Sequence, residues 1–415
     1  MSRLLAWYGD DFTGSTDVLE ALSLQGIRSV LFLRQPPSLQ PFHDYEAFGL
    51  AGSSRGQSPV WMERHLPAAF DWLGSLQTPV VHYKVCSTFD SSPETGNIGR
   101  AMEIGQRVLR TSWVPVVVGA PPLRRYTAFG NLFAGAGSEI HRIDRHPTMS
   151  RHPVTPMREA DLRLHLAHQT ATPVELLNCL EIRDPAILEA RRNQSPFVLI
   201  DVVDEQALAP VGALLWTAAQ RERLFVVGSS GVQYALAAHW KRPVRPQVQL
   251  SPVEQLLVLS GSCSPVTAEQ IHHARSHGFA ALDLLAGDGV LEKAEAALRN
   301  GESVVLYSAS GPDSQRFDID RHELAERSGR LLTALLDRVP VRRVVVAGGD
   351  TSSAAGALLD IDALTFVAPV APGAPLCRAW SSNPRRHGLE IIFKGGQCGS
   401  PAFFSQVKGD FYNHV

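Results

Sequence analysis

Short apolar runs recur along the chain, each followed by a loop of Gly, Ser, Thr or Asp and then by apolar positions at helical spacing. The first copy opens with "LLAWYG", and after its loop Val18, Leu19, Ala21 and Leu22 return at the intervals of one helix face. Gly26 suits the left-handed stop of that helix, and "SVLFL" reads as the next strand. Equivalent phrases are "PVVHYKVCSTFDSS" ahead of a helix over Asn97 to Arg110, "FVLIDVVDEQ" ahead of an apolar helix reaching Trp216, and "RLFVVGSSGVQYALAAHW". Strands alternating with helices in this way predict an α/β fold with mostly parallel sheets and helices on both faces.

The pattern breaks at "KRPVRPQVQLSPVEQ", Lys241 to Gln255, where three prolines and few core-forming residues suit a connection. Two domains are therefore expected, residues 1–245 and residues 246–415. Beyond the break the alternation restarts in "QLLVLSGSCSPVTAEQIHHARSHG", "SVVLYSASGPD", "VRRVVVAGGDTSSAAGALLD" and "LEIIFKGGQCGSPAFF". Open α/β sheets bind ligands at the carboxyl ends of their strands, so these four loops are expected to share one rim and form a composite pocket.

Length agrees with that division, since 415 residues exceed the roughly 100 to 200 of an ordinary domain. With 44% apolar and 19% charged residues the chain reads as a soluble globular protein, and no segment has the roughly 18 uninterrupted apolar residues of a membrane span. "LLAWYG" follows Met1 almost at once, without the basic start and cleavage site of a secretory signal, so the cytoplasm is the expected location. Five cysteines, Cys86, Cys179, Cys263, Cys377 and Cys398, form no CxxC pair, which predicts reduced thiols rather than disulfides or a zinc knuckle. A formal net charge of -2 gives no general attraction to nucleic acid, so any anionic ligand has to be held by a local site.

Candidate sites follow from the loops. In "VVVAGGDTSSAAGALL", Gly348 and Gly349 clear a strand end of side chains while Thr351, Ser352 and Ser353 bring hydroxyls to a helix N-terminus, a phosphate cradle in outline. "SGSCSPVT" from Ser260 and "KGGQCGS" from Lys394 add two more small-residue loops, and a nucleotide triphosphate needs donors from several such directions. Neither a Walker A sequence nor a GxGxxG fingerprint occurs, which disfavours ordinary P-loop and dinucleotide folds. The first half offers a different mixture: Asp10, Asp11, Thr13 and Asp17, then Arg55, then Lys84, Ser87, Thr88 and Asp90. Acids bind sugar hydroxyls while Arg and Lys bind a carboxylate, so the mixture fits a small polyhydroxy acid. "HRIDRHPTMSRHPVTPMREADL" carries His146, Arg151, His152 and Arg158 and reads either as a cover over an anionic substrate or as a charged surface excursion. The histidines His272, His273, His277 and His165, His168 lack acidic or cysteine companions at ligand spacing and read as solvated helix faces, so no metal site is assigned to them.

Six blocks in order, "YGDDFTGSTDVLEAL", "HYKVCSTFDSSPETGNIGRA", "GAPPLRRYTAFGNLFA", "HPVTPMREADL", "VAGGDTSSAAGALL" and "FKGGQCGSPAFF", resemble the four-carbon acid sugar kinase family over nearly the whole chain. The resemblance implies an N-terminal sugar-acid domain, a C-terminal nucleotide domain and an active site in the interdomain cleft. It implies ATP-dependent phosphorylation of a terminal hydroxyl on an acid such as threonate, erythronate or 3-oxo-tetronate, Mg2+ is expected with the ATP, and the chain's departures from the family leave a branched relative such as 3-oxo-isoapionate open. A substrate role is carried onto Asp10 and Asp11, onto Arg55, and onto Lys84, Val85, Cys86 and Ser87, and the reading of the loop as a cover adds His152 and Arg158 as candidates. The ATP role falls on Ser260, Ser262 and Ser264, on Gly348, Gly349, Asp350 and Thr351, and on Gly395, Gly396, Gln397 and Cys398. The chain departs from the family where it reads "YGDD" for the frequent "ADD", "GGQCG" for "SGNFG", and Asp350 where Glu is frequent. In the mechanism so implied, Asp10 or Asp11 orients and deprotonates the acceptor hydroxyl while Arg55 and Lys84 hold the substrate carboxylate. The rivals are a sugar-acid and nucleotide sensor without catalysis, and a dehydrogenase or epimerase on similar acids. The expected partner is the small acid itself, with no nucleic acid or membrane; the assembly is open, a homodimer included.

Overall fold

The structure, a computed structural model, describes residues 3–152, 154–242, 250–287, 289–311 and 320–409. The domain boundary expected at residues 245 and 246 lies among residues 243–249, outside the described residues. Contacts divide the chain into two compact units, one of Met1–Asp10, Ala21–Ser29 and Gln40–Arg245, the other of Asp11–Glu20, Val30–Leu39 and Pro246–Val415. The amino-terminal half thus lends two short segments to the second unit, and the grouping changes between Asp10 and Asp11.

In chain order the strands are β1 (Leu5–Gly9), β2 (Ser29–Phe32), β3 (Ala47–Ala51), β4 (Val80–Lys84), β5 (Val114–Val117), β6 (Arg125–Ala128), β7 (Asn131–Ala136), β8 (Glu139–Arg142) and β9 (Val174–Leu177). They continue as β10 (Phe197–Ile200), β11 (Leu224–Gly228), β12 (Leu256–Ser260), β13 (Ala280–Asp283), β14 (Val304–Tyr307), β15 (Arg343–Ala347), β16 (Ala363–Ala371), β17 (Ala374–Trp380) and β18 (Glu390–Lys394). The helices are α1 (Phe12–Leu24), α2 (Pro59–Ser75), α3 (Ile98–Leu109), α4 (Leu162–Ala167), α5 (Pro185–Gln194) and α6 (Leu208–Arg221). The remainder are α7 (Gly231–Trp240), α8 (Pro265–Ser276), α9 (Val290–Arg299), α10 (Arg321–Arg338), α11 (Gly349–Leu358) and α12 (Phe403–Lys408).

In the first unit the strands run parallel in the order β3-β1-β4-β11-β5-β10-β9. β1, β4 and β11 are buried along their whole length, as unbroken apolar runs are when helices cover both faces. Local chemistry sets the helix starts: Pro59 opens α2 behind the Ser58 cap, and Asn97 accepts the Arg100 amide at 2.6 Å to open α3. The same unit holds an antiparallel sheet, β6-β7-β8, which the strand–helix alternation did not foretell. Its first hairpin turns through Phe129 and Gly130, both at positive φ (51° and 81°), so a primed turn is made without the usual Asn-Gly or Asp-Gly. Buried Asp201 holds that turn by accepting the Phe129 amide at 2.5 Å and the Gly130 amide at 3.1 Å.

The second unit has the order β13-β14-β12-β15-β18-β17-β16-β2, parallel through β18 and antiparallel thereafter. On one face α8 and α12 pack Ile271, Ala274, Phe403 and Phe404 over Val258, Val305, Val345 and Ile392. On the other, Phe12 meets Phe393 edge-on at 5.7 Å and sits against Gly356 of α11. Fully buried Arg343 ties the lower end of this sheet, donating to Glu390 at 2.6 and 2.9 Å and to the carbonyls of Val407 and Ser251 at 2.6 and 2.9 Å.

Candidate functional site

Parallel register gathers the carboxyl ends of the first unit's central strands. Gly9 pairs with Ala51 and Lys84, and Gly228 with Lys84 and Val117, so the residues that follow stand on one rim. The rim is stitched by main chain: the Asp10 amide donates to Lys84 O at 2.9 Å, the Gly52 amide to Gly9 O at 2.9 Å and the Arg55 amide to Asp10 O at 3.1 Å. Asp10 and Lys84 are only 4% and 2% exposed, a carboxylate and an ammonium held at adjacent strand ends. Below them Tyr8 stacks on Tyr83 with centroids 5.8 Å apart, and burial pushes Tyr8 up to about 12, leaving it a neutral phenol.

The loop after β4 carries Val85, buried, with Cys86 and Ser87 half-buried, and then reaches Asp90. One Arg55 nitrogen donates to both oxygens of Asp90, at 3.0 and 2.9 Å. Thr88 donates to Asp90 at 2.5 Å, and Thr155 donates to it at 3.0 Å while meeting His152 Nδ1 at 3.0 Å. Burial alone would raise the Asp90 carboxyl, but Arg55, Thr88 and His152 together hold it well below the ordinary range, so it stays ionised. Arg55 and His152 therefore gather at Asp90, which engages one nitrogen of the half-buried Arg55 guanidinium. Arg158 is exposed, and among the described residues no hydrogen bond or ion pair joins it to this cluster. His165 corrects the reading of a solvated helix face: it is 9% exposed, meets Ser91 at 2.9 Å and Gln169 at 3.0 Å, and burial pulls it down to about 4.

Ser260, Ala347 and Lys394 are likewise in register in the second unit. The loops after them, with the loop that follows Tyr307 of β14, share a rim. The helices that start there leave on opposite faces, α8 behind β12 and α11 behind β15, which is the switch point where open α/β sheets take ligands. Ser260 is buried with its Oγ unbonded among the described residues, Ser262 accepts the Ser264 amide at 3.2 Å, and Ser264 caps α8. Gly348 has φ +109°, which L side chains rarely adopt, and delivers Gly349, Asp350 and Thr351 into the first turn of α11 without a side-chain cap. The amides of that turn have no intrahelical acceptor and favour an anion. Gly395, Gly396 and Gln397 follow β18, and a Cβ on Gly396 would stand 2.3 Å from Ser262 Oγ, so the third loop lies directly on the first. The half-buried Cys398 thiol donates to the Pro372 carbonyl at 3.3 Å.

Asp11 belongs to this second unit. Its carboxylate accepts the Gly14 amide at 2.5 Å and the Thr13 hydroxyl at 3.0 Å, capping α1, and one of its oxygens lies 3.7 Å from where a Gly349 Cβ would be. Lys394 was quoted with its loop but not singled out. It is fully buried, donates to Thr267 at 3.3 Å over the Phe403 ring, and burial pulls its ammonium down to about 8. The signal in the sequence was a lysine opening a Gly-Gly loop. Among the described residues no three His, Cys, Asp or Glu side chains are grouped to hold a metal ion, and no helix is long and apolar enough to cross a membrane.

Comparison with known proteins adds the following. Residues 5–236 match the family model of a sugar-binding N-terminal domain, and residues 257–404 that of a nucleotide-binding C-terminal domain. The chain is 50% identical to a 3-oxo-isoapionate kinase of Paraburkholderia graminis over 98% of this chain and 94% of that protein. It is 30% identical to a 3-oxo-tetronate kinase of Cupriavidus necator over 99% of this chain and 98% of that protein. In fold it matches a crystal structure from Salmonella typhimurium LT2, with TM-score 0.79 and 24% identity over 98% of this chain and 99% of that one. A Haemophilus influenzae protein matches with TM-score 0.73 and 23% identity, over 98% of this chain and 100% of that one.

Proposed function

This chain belongs to the four-carbon acid sugar kinase family, and from that premise we propose that it transfers the terminal phosphoryl group of ATP to a terminal hydroxyl of a small sugar acid. The branched 3-oxo-isoapionate is the first candidate and 3-oxo-tetronate the second, with threonate and erythronate after them; the 50% and 30% identities to kinases so named support that order. The observation that carries the reading is the division of labour between the two rims. Carboxylate and ammonium stand at strand ends in the first unit, while glycine, serine and two helix N-termini converge in the second.

Asp11 is occupied as the cap of α1, which leaves Asp10, at the rim with Lys84, as the acid for the acceptor. The acceptor oxygen attacks the terminal phosphorus, the bond from that phosphorus to the ADP oxygen breaks, and the hydroxyl proton passes to the Asp10 carboxylate. Lys84 supports the substrate carboxylate. Ser260 Oγ, the Gly349–Thr351 amides and the Gly395–Gln397 loop hold the phosphates, positioning them with donors that need no reorganisation. Magnesium needs only one or two carboxylates when phosphates and water supply its other ligands, so the Asp11 carboxylate beside Gly349 fits it; when bound, the ion neutralises phosphate charge.

The test is release of ADP, coupled to an optical signal, over the four acids and over nicotinamide-linked alternatives. Acid-dependent ADP release is expected, and its absence with every acid ends the proposal. Asp10→Asn should lower turnover by roughly 100-fold or more, the usual worth of a general base, without changing nucleotide affinity. Near-normal turnover would remove Asp10 from the mechanism.

A further inference from the structure

Arg125 shares a buried, unpartnered Nε with Arg191 and Arg192 of its unit, but those two meet glutamates, and Arg125 meets no carboxylate among the described residues. Its Nε has essentially no accessible surface and no hydrogen-bond partner among the described residues. Among the described residues its guanidinium hydrogen-bonds only through Nη1, to two main-chain carbonyls, Leu123 O at 3.0 Å and Arg124 O at 3.2 Å. No carboxylate pairs with it among the described residues, whereas Arg55, Arg100, Arg142 and Arg163 each meet an acid within 3.0 Å. Its immediate neighbours in the chain, Arg124 and Tyr126, supply no acid.

Its position is fixed by the fold. Beyond β5 the chain passes Ala120, turns through Pro121–Leu123 and returns, and Ala120 and Arg125 exchange both main-chain bonds at 2.8 and 3.2 Å. β5 lies beside β11, and β11 beside β4, so this return stands over the same strand ends that carry Lys84. The guanidinium is within electrostatic reach of Cys86, and Cys86 is joined through Thr88, at 3.0 and 2.5 Å, to Asp90 and so to Arg55. Two arginines therefore flank one loop. Asp90 satisfies the first, and nothing described in the chain neutralises the second.

We propose that Arg125 is a further substrate-binding residue, which pairs with the carboxylate of the acid acceptor alongside Lys84 and makes the site select acids over neutral analogues; this rests on the sugar-acid reading above. Burying a cation without a counter-ion is costly, and the cost falls when a ligand brings the missing charge. A guanidinium offers a planar fork to a carboxylate, which a lysine cannot copy. Burial also holds Arg125 below the usual arginine range, with Arg124 adding to the effect, as befits a charge awaiting a partner.

The experiment compares wild type, Arg125→Met and Arg125→Lys, using 3-oxo-isoapionate or 3-oxo-tetronate and the methyl ester of the same acid. Charge-assisted hydrogen bonds are worth roughly 10- to 100-fold, so the ratio of kcat/KM for acid over ester should fall by about that factor in Arg125→Met and by less in Arg125→Lys, with KM for ATP unchanged. An unchanged ratio overturns the proposal. Thermal unfolding supplies a readout that needs no turnover. Without ligand Arg125→Met should be at least as stable as wild type, and the acid should stabilise wild type but not the variant. Equal stabilisation of both overturns the assignment. Should wild type release no ADP with any acid, the kinase reading fails while the acid-dependent stabilisation still decides the role of Arg125.

Discussion

Glu20 is a buried acid whose replacement should change how the second unit responds to pH. It lies on α1, 5% exposed, and its Oε2 accepts the Gly373 amide at 2.7 Å in the turn between β16 and β17. Burial pushes its carboxyl up from 4.5 to about 8; the Gly373 bond opposes this and neighbouring Asp17 adds to it. Because the folded value is the higher one, the folded unit keeps a proton that the unfolded chain gives up. The stabilisation is complete below about 4.5 and is lost as pH rises toward about 8. At about 1.4 kcal/mol per pH unit, the span from 4.5 to about 8 amounts to roughly 5 kcal/mol, an upper bound because the hairpin can open locally to hydrate the acid. Glu20→Gln keeps the shape and the acceptor for Gly373 but cannot ionise. Hydrogen exchange of peptides covering β16 and β17, corrected for the chemical rate, reports the opening free energy of this region alone. Wild-type protection should fall steadily between pH 5 and pH 8 while that of the variant stays level, so that the variant is the better protected at pH 8. Parallel profiles for the two proteins would refute the argument from burial.

Two further predictions follow from the sites. Asp90→Asn leaves Arg55 facing an amide and should cost the first unit roughly 3–5 kcal/mol at pH 7, measured by exchange in its loops. Since the folded Asp90 value is depressed, its stabilisation is present above the ordinary carboxylate value and is lost as pH falls from there through the folded value, so the gap between wild type and variant should begin to narrow below about pH 4 and go on narrowing with further acid. Gly348→Ala places a side chain at φ +109°, a strain of about 1–3 kcal/mol, and should weaken ADP binding in calorimetry; unchanged affinity would detach this loop from the phosphates.

The α/β alternation was legible because strands buried on both faces leave continuous apolar runs, as "LAWYG" and "LFVVG" do, and because helix starts depend on near neighbours such as Asn97 and Ser264. Features that depend on distant partners were not. The β6-β7 turn uses Phe129 at positive φ, stabilised by an aspartate 72 residues away, so it carried no turn signature. His165 looked solvated because its apolar pattern is weak, yet Ser91 and Gln169 both meet its Nε2 inside the unit. Asp11 to Glu20 group with the second unit through packing such as Phe12 on Gly356, and no periodicity in α1 announces which partner its face will meet.

The same distinction separates the two candidate sites. Loops that bind through amides are written locally: Gly348, Gly396 and the serines around Gly261 cluster at strand ends whatever lies elsewhere, and the register then brings the ends together. A site that binds through charge is written as a balance, since how much of an arginine's charge a ligand meets depends on the acids within the fold. Arg55 precedes Asp90 by 35 residues and pairs with it, while Arg125, in the "PLRRYTAF" run, meets no acid among the described residues. From composition and spacing the two residues are equivalent cations beside strand ends. The difference becomes visible when the fold is examined for carboxylates beside each of the two, and the charge of Arg125 is the one that a sugar acid would complete.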